Sequence, residues 1–119
     1  MTLPNLGNRG ITIYNRLNRD LAAFNYVLRV AKLPGNCNAH TLWTLNGLFI
    51  AANRLFRRHS DLPRFITVDI NSPMSQADLA ILVAQLTAAC LAFEERYEHL
   101  TAEGVERAAA RRKLEQFKP

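Results

Sequence analysis

Carboxylates are almost absent from the first half of this 119-residue chain. Residues 1–60 hold eight Arg and Lys against Asp20 alone, a balance of +7, whereas residues 61–119 hold seven against nine, a balance of −2. The net charge of +5 therefore joins a basic half to a mildly acidic one. Such an asymmetry creates a local potential that attracts polyanions, and it bears on partners and not on fold.

Other scarcities exclude whole classes. The two cysteines, Cys37 and Cys90, are too few for a disulfide framework, and a chain of this size does not need one. Free thiols in a reducing setting are expected. The five glycines are scattered, so no phosphate-cradling loop or dinucleotide fingerprint is present. Neither H-E-x-x-H nor G-x-S-x-G occurs. The longest uncharged apolar run, Leu79 to Phe93, includes Gln85, Thr87 and many alanines and is short for a bilayer. The N-terminus shows no basic segment, apolar core and small-residue cleavage site. A cytoplasmic protein with no membrane role is the expectation.

What is present is ordinary globular composition, 49% apolar and 21% charged, which predicts a single folded domain over 1–119. The expected fold is mainly α, a small bundle of about four helices with one short extended or β segment. Residues 1–10, with Pro4, Gly7 and Gly10, read as an irregular leader, and Ile11 to Tyr14 as β-prone but short. Leu17, Leu21, Phe24, Leu28 and Ala31 then fall on one helical stripe, ended by Pro34-Gly35. A second helix is predicted from about His40 to His59, capped by Asn38 or Thr41, with Leu45, Leu48, Phe49, Ala52, Leu55 and Phe56 as its apolar face. Residues 65–70 form the strongest strand candidate, pairing with 11–14, pairing with another chain, or simply lying extended over the helices.

Ser75 followed by Asp78 marks the start of the clearest helix. Its residues Leu79, Val83, Leu86, Cys90, Phe93, Tyr97 and Leu100 repeat in steps of four and three, a heptad seam suited to packing against nearly parallel or antiparallel neighbours. Residues 101–119 read as a charged end helix with a thin apolar face, frayed or ordered by a partner.

Projection of the second helix at 100° per residue gathers Trp43, Gly47, Ile50, Arg54 and Arg57 opposite Leu45 and Ala52. Tryptophan, isoleucine and arginine on an outward stripe suit an interface; with nucleic acid, the arginines would pair phosphates and the indole would stack on an unpaired base. A covering helix would instead make Trp43 core. On the first helix Asn18, Asn25, Arg29 and Lys32 share a stripe flanked by Arg16 and Arg19, which suits phosphates or a plain solvated face. Cys37-x-x-His40 has the spacing to begin a zinc site, but no second paired spacing completes it.

The leading expectation is thus a non-enzymatic module without cofactor or metal, binding a nucleic-acid backbone as an accessory or subunit of a larger nucleoprotein assembly. Arg16, Arg19, Arg29, Lys32, Arg54, Arg57 and Arg58 would contact phosphates, with Trp43 and Ile50 at an interface. The competing expectation is a protein-interaction module, an oligomer, adaptor or inhibitor, that uses the Trp43/Ile50 face. No small-molecule substrate is inferred, and a homo-oligomer is compatible with either.

Overall fold

The computed structural model describes residues 6–31 and 35–97. Helix accounts for 72% of them, and no strand occurs among the described residues. Three helices are present: α1 (Gly7–Ala31), α2 (Ala39–Phe56) and α3 (Gln76–Arg96). The expected end helix over 101–119 lies outside the described residues, as do Lys32 and Leu100.

The first helix starts at Gly7, well before Leu17, so residues 7–10 are not an irregular leader and 11–14 are not a strand. The reason lies in Tyr14. It extends the Leu17–Leu21 stripe backwards by one helical step, and all three side chains are buried. The Tyr14 hydroxyl donates to Glu94 Oε2 at 2.7 Å, and the ring stacks on Phe93 at 5.4 Å. Packing against α3 overrides the β propensity of Ile11-Thr12-Ile13-Tyr14.

Helices α1 and α2 run antiparallel, since Arg9 and Ile13 near the start of α1 adjoin Arg54 and Leu55 near the end of α2. The turn between them is tied to the start of α3. Gly35 adopts φ +86°, which a side chain would resist, and its carbonyl accepts from Gln76 N at 2.8 Å. Cys37 N donates to Met74 O at 2.8 Å beside an isolated Asn36–Ser75 bridge. Asn38 caps α2 by accepting from Thr41 N, and Ser75 caps α3 by accepting from Asp78 N. At the other end Phe56 meets Phe93, so α2 and α3 run parallel. The heptad seam of α3 is buried as expected from Leu79 to Phe93, with Tyr97 partly covered.

Parallel helices require a connection that returns the length of α2, and residues 57–75 supply it. The predicted strand within it has no β partner among the described residues, and 11–14, its expected partner within the chain, are helical. It is held instead by two side chains of α2. Asn53 Oδ1 accepts from Phe65 N (2.8 Å) while its Nδ2 donates to Phe65 O (2.7 Å). Asn46 does the same to Val68, with both bonds at 2.8 Å. The spacings match: seven helical residues advance about 10 Å, as do three extended ones. A β-strand shows alternate residues to one side, so a contact every third residue is incompatible with regular pairing. Phe65 seals the contact by stacking on Phe49 at 5.0 Å.

Removing either amide leaves a backbone N–H and C=O of a partly buried segment without partners. Asn53→Ala and Asn46→Ala should each lower unfolding free energy by about 1–3 kcal/mol in urea titrations. Asn53→Asp, which keeps the acceptor and loses the donor, should fall between Asn53→Ala and the parent protein.

Candidate nucleic-acid interface

With α1 and α3 covering one side of α2 and the 65–68 segment pinned along another, the remaining side of α2 faces solvent. It carries the stripe projected from sequence. Trp43 is 65% exposed and Ile50 52% exposed, and Gly47, Arg54 and Arg57 are exposed with them. No helix among the described residues covers Trp43, and it is not part of the core they form. His40, one turn earlier, stacks near-parallel on the indole with centroids 6.0 Å apart, which orients the Trp43 ring without covering it.

The basic end of this stripe is wider than the sequence suggested. Arg54, Arg57 and Arg58 line an open depression of about 400 Å³ together with Arg9 from the first turn of α1. Leu55 and Ile13 contribute apolar wall, and His59 and Tyr97 also line it; none of the lining residues is acidic. None of these four arginines forms an ion pair with a described carboxylate. Four like charges around one depression, with no carboxylate among its described lining residues, make an anion-attracting surface.

The other predicted contacts fall less neatly. Arg16 is exposed and sits two turns along α1 from Arg9, on the same stripe beside α2. Arg19 is exposed some 60° further round the helix. Arg29 is exposed on the flank toward α3, roughly 140° from Arg16, on the side where Asn25 Nδ2 donates to Thr87 Oγ1. The helix positions thus group Arg9, Arg16, Arg54, Arg57 and Arg58, with Arg19 at the margin and Arg29 apart. Lys32 lies outside the described residues.

Beneath the arginines is a polar cluster that sequence reasoning missed. His59, the predicted end of the second helix, is 6% exposed. Arg96 Nη1 donates to its Nδ1 at 2.9 Å, and Tyr97 Oη lies 3.0 Å from its Nε2. A guanidinium only donates, so Nδ1 keeps its lone pair, and the neutral ring carries its proton on Nε2, donating to Tyr97. Burial, then the Arg96 charge, push the His59 pKa below 6.5, with Asp61 opposing weakly. Arg96 also forms a two-pronged ion pair with Asp61, whose carboxyl is held below its usual range mainly by that hydrogen bond. Edge contacts of His59 with Phe93 and Tyr97 complete the cluster.

The thiols offer no reactive centre. Cys90 is buried and pushed up to about 12 by desolvation. Cys37 is also raised by burial, and its Sγ donates to Ser75 O at 3.7 Å. Both are free, as expected. Among the described residues no group of three or more His, Cys, Asp or Glu is placed to hold a metal ion.

No known family, curated protein or solved structure matches this chain. The reading of the surface therefore rests on its geometry and chemistry.

The His59 arrangement fixes a sign for pH dependence. A histidine whose pKa is lowered by folding takes up a proton more readily when unfolded, so stability is full above about pH 6.5 and declines as pH falls below it. Urea midpoints should drop between pH 7.5 and pH 5, and His59→Gln should flatten that slope. The decline from Asp61 belongs to a separate window, below the ordinary carboxylate range near 3.8.

Proposed function

We propose that this chain is a non-enzymatic module that binds a nucleic-acid backbone, acting as an accessory or subunit of a larger nucleoprotein assembly. One observation carries the reading: Arg9, Arg54, Arg57 and Arg58, from two antiparallel helices, line one open depression with no carboxylate among its described lining residues. Arg16 extends the basic strip along α1. Phosphates are the chemistry that such a surface fits, because guanidinium groups bind them through paired N–H donors while direct sequence readout needs base-edge contacts.

Trp43 refines the target. Its exposed indole lies eleven residues, about 16 Å, before Arg54 on the same outward side of α2. A basic patch joined to an exposed aromatic ring suits a single strand, whose phosphates meet the arginines while an unpaired base stacks on the indole. A duplex offers the same phosphates but no free base. The preference is therefore for single-stranded DNA or RNA, with little sequence selectivity.

Ile50 favours the second reading, a protein-interaction surface. Half-exposed between Trp43 and Arg54, it has no use to a phosphate backbone, and apolar side chains beside aromatic and arginine anchors are typical of protein interfaces.

Trp43 is the single tryptophan, so its fluorescence reports on this surface directly. Single-stranded oligonucleotides should quench it at low salt. Replacing Arg54, Arg57 and Arg58 together with alanine should reduce the log–log salt slope by about 2 for single strands. Trp43→Ala should cost about 1–3 kcal/mol of single-strand affinity and much less with duplex. No binding of DNA or RNA at low salt would overturn the reading and leave the protein-interaction surface.

A further inference from the structure

Helix α3 carries two heptad-spaced seams on opposite faces. One, from Leu79 to Tyr97, packs into the core. The other runs Ala77, Ile81, Ala84, Ala88, Leu91, Glu95 in steps of 4, 3, 4, 3 and 4, and all six residues are exposed. Ile81 is 56% and Leu91 51% exposed, and α3 carries no charge at all between Asp78 and Glu94. A helix facing water normally places charged residues on its outer face, whereas a helix apolar all round is one that is covered on all sides. Beside this seam, Ile66 stands 87% exposed on the rim of an apolar groove of about 590 Å³ lined by Phe49, Leu82, Ala89 and Ala92.

We propose that the outer seam of α3 is a homodimer interface, with the α3 helices of two copies packed antiparallel about a two-fold axis level with Leu86. The seam is its own complement under that operation. Ala84 of each copy meets Ala88 of the other, Ile81 meets Leu91, and Ala77 meets Glu95. Small residues at the centre let the backbones approach, and the larger pair on either side interlocks as heptad positions do. A two-fold interface requires one patch to serve both sides, so that residue i meets j and j meets i; the pattern of large and small residues here satisfies that condition.

Charge agrees with this occupant. The operation carries each Glu95 to the first turn of the other α3, where the positive end of the helix dipole favours a carboxylate while the exposed Asp78 opposes it, leaving the uncharged stretch between Asp78 and Glu94 to carry the contact. It also joins the mildly acidic halves of two chains and keeps the strongly basic halves apart. The seam is about 27 Å long and one helix wide, smaller than the roughly 800 Å² per partner of a standard stable interface. Association is accordingly expected in the micromolar range, with Ile66 and the groove adding to its edge. Lipid is the other class of partner to exclude, because α3 is long and apolar enough by composition to cross a membrane, with only 33% of its most apolar 18-residue stretch buried inside the bundle.

Light scattering on the full chain should show the mass rising from one chain to two between about 1 and several hundred µM. Ala88→Glu should weaken the dimer at least about tenfold while leaving intact both helicity and the binding of an oligonucleotide too short to reach two copies, because position 88 is exposed and does not line the arginine depression. The register is tested in a Cys37→Ser background, where Ala84→Cys and Ala88→Cys chains should cross-link faster when mixed than either does alone. A monomer at every concentration overturns the proposal, as does a dimer indifferent to Ala88→Glu. A monomer that co-sediments with phosphatidylcholine vesicles overturns it in favour of lipid. None of these outcomes touches the nucleic-acid reading, which concerns α2 and the start of α1.

Discussion

The return of the chain along α2 is the constraint on which the rest of this structure depends. Because α2 and α3 are parallel, residues 57–75 must run back beside α2, and an extended backbone there needs hydrogen-bond partners along its length. Asn46 and Asn53 provide them from the helix itself, each amide acting as the opposing residue of a β ladder would. A helix offering asparagines two turns apart can hold a strand-like segment without any sheet. The cost is that one flank of α2 is committed to the segment, and α1 and α3 commit the core side. Only the strip carrying Trp43, Ile50, Arg54 and Arg57 is left to solvent, so the exposure of the candidate interface follows from how the crossover is held.

The same geometry explains what the sequence revealed and what it concealed. Periodicity located α2 and α3 to within a few residues, because their apolar spacing and the Asn38 and Ser75 caps agree with their final packing. The start of α1 was concealed because Ile11-Thr12-Ile13-Tyr14 is locally β-prone and its helical state depends on Tyr14 reaching Glu94, eighty residues away. The 65–70 segment reads in sequence as a strand or extended piece, yet among the described residues it forms no strand. Its partners are asparagine side chains, and a seven-residue spacing of asparagines was the only available signal. For the site, the outward stripe of α2 was readable from one helix alone. The Arg9 contribution was not, since it needs both the earlier start of α1 and its antiparallel pairing with α2.

His59 illustrates a different limit. At a helix end followed by Ser60 and Asp61, a histidine reads as a solvated cation favoured by the dipole. Its burial comes from the break after α2, which turns the ring inward onto Phe93 and Tyr97. The Arg96 guanidinium then settles the protonation state, because a second positive charge at Nδ1 would face it at hydrogen-bond distance. The floor of the basic depression is therefore neutral at physiological pH, and the positive potential there comes from the arginines around it.

Dimerisation through α3 would change what the basic surface can do. Four arginines with no enclosing pocket give modest, salt-sensitive affinity for a phosphate backbone, because exposed contacts are screened within about 8 Å at physiological ionic strength. Two such surfaces held rigidly on one dimer would bind a single strand with the second contact made at high effective concentration, provided the strand spans both. The gain needs no further contact within either copy. It needs only that the paired surface leave the basic one open, and here the two lie on different helices, each turned away from the shared core. An uncharged seam on the acid-leaning half and an unneutralised arginine cluster on the basic half then have one physical rationale: the chain associates with itself where its charge is weakest and meets a polyanion where its charge is strongest.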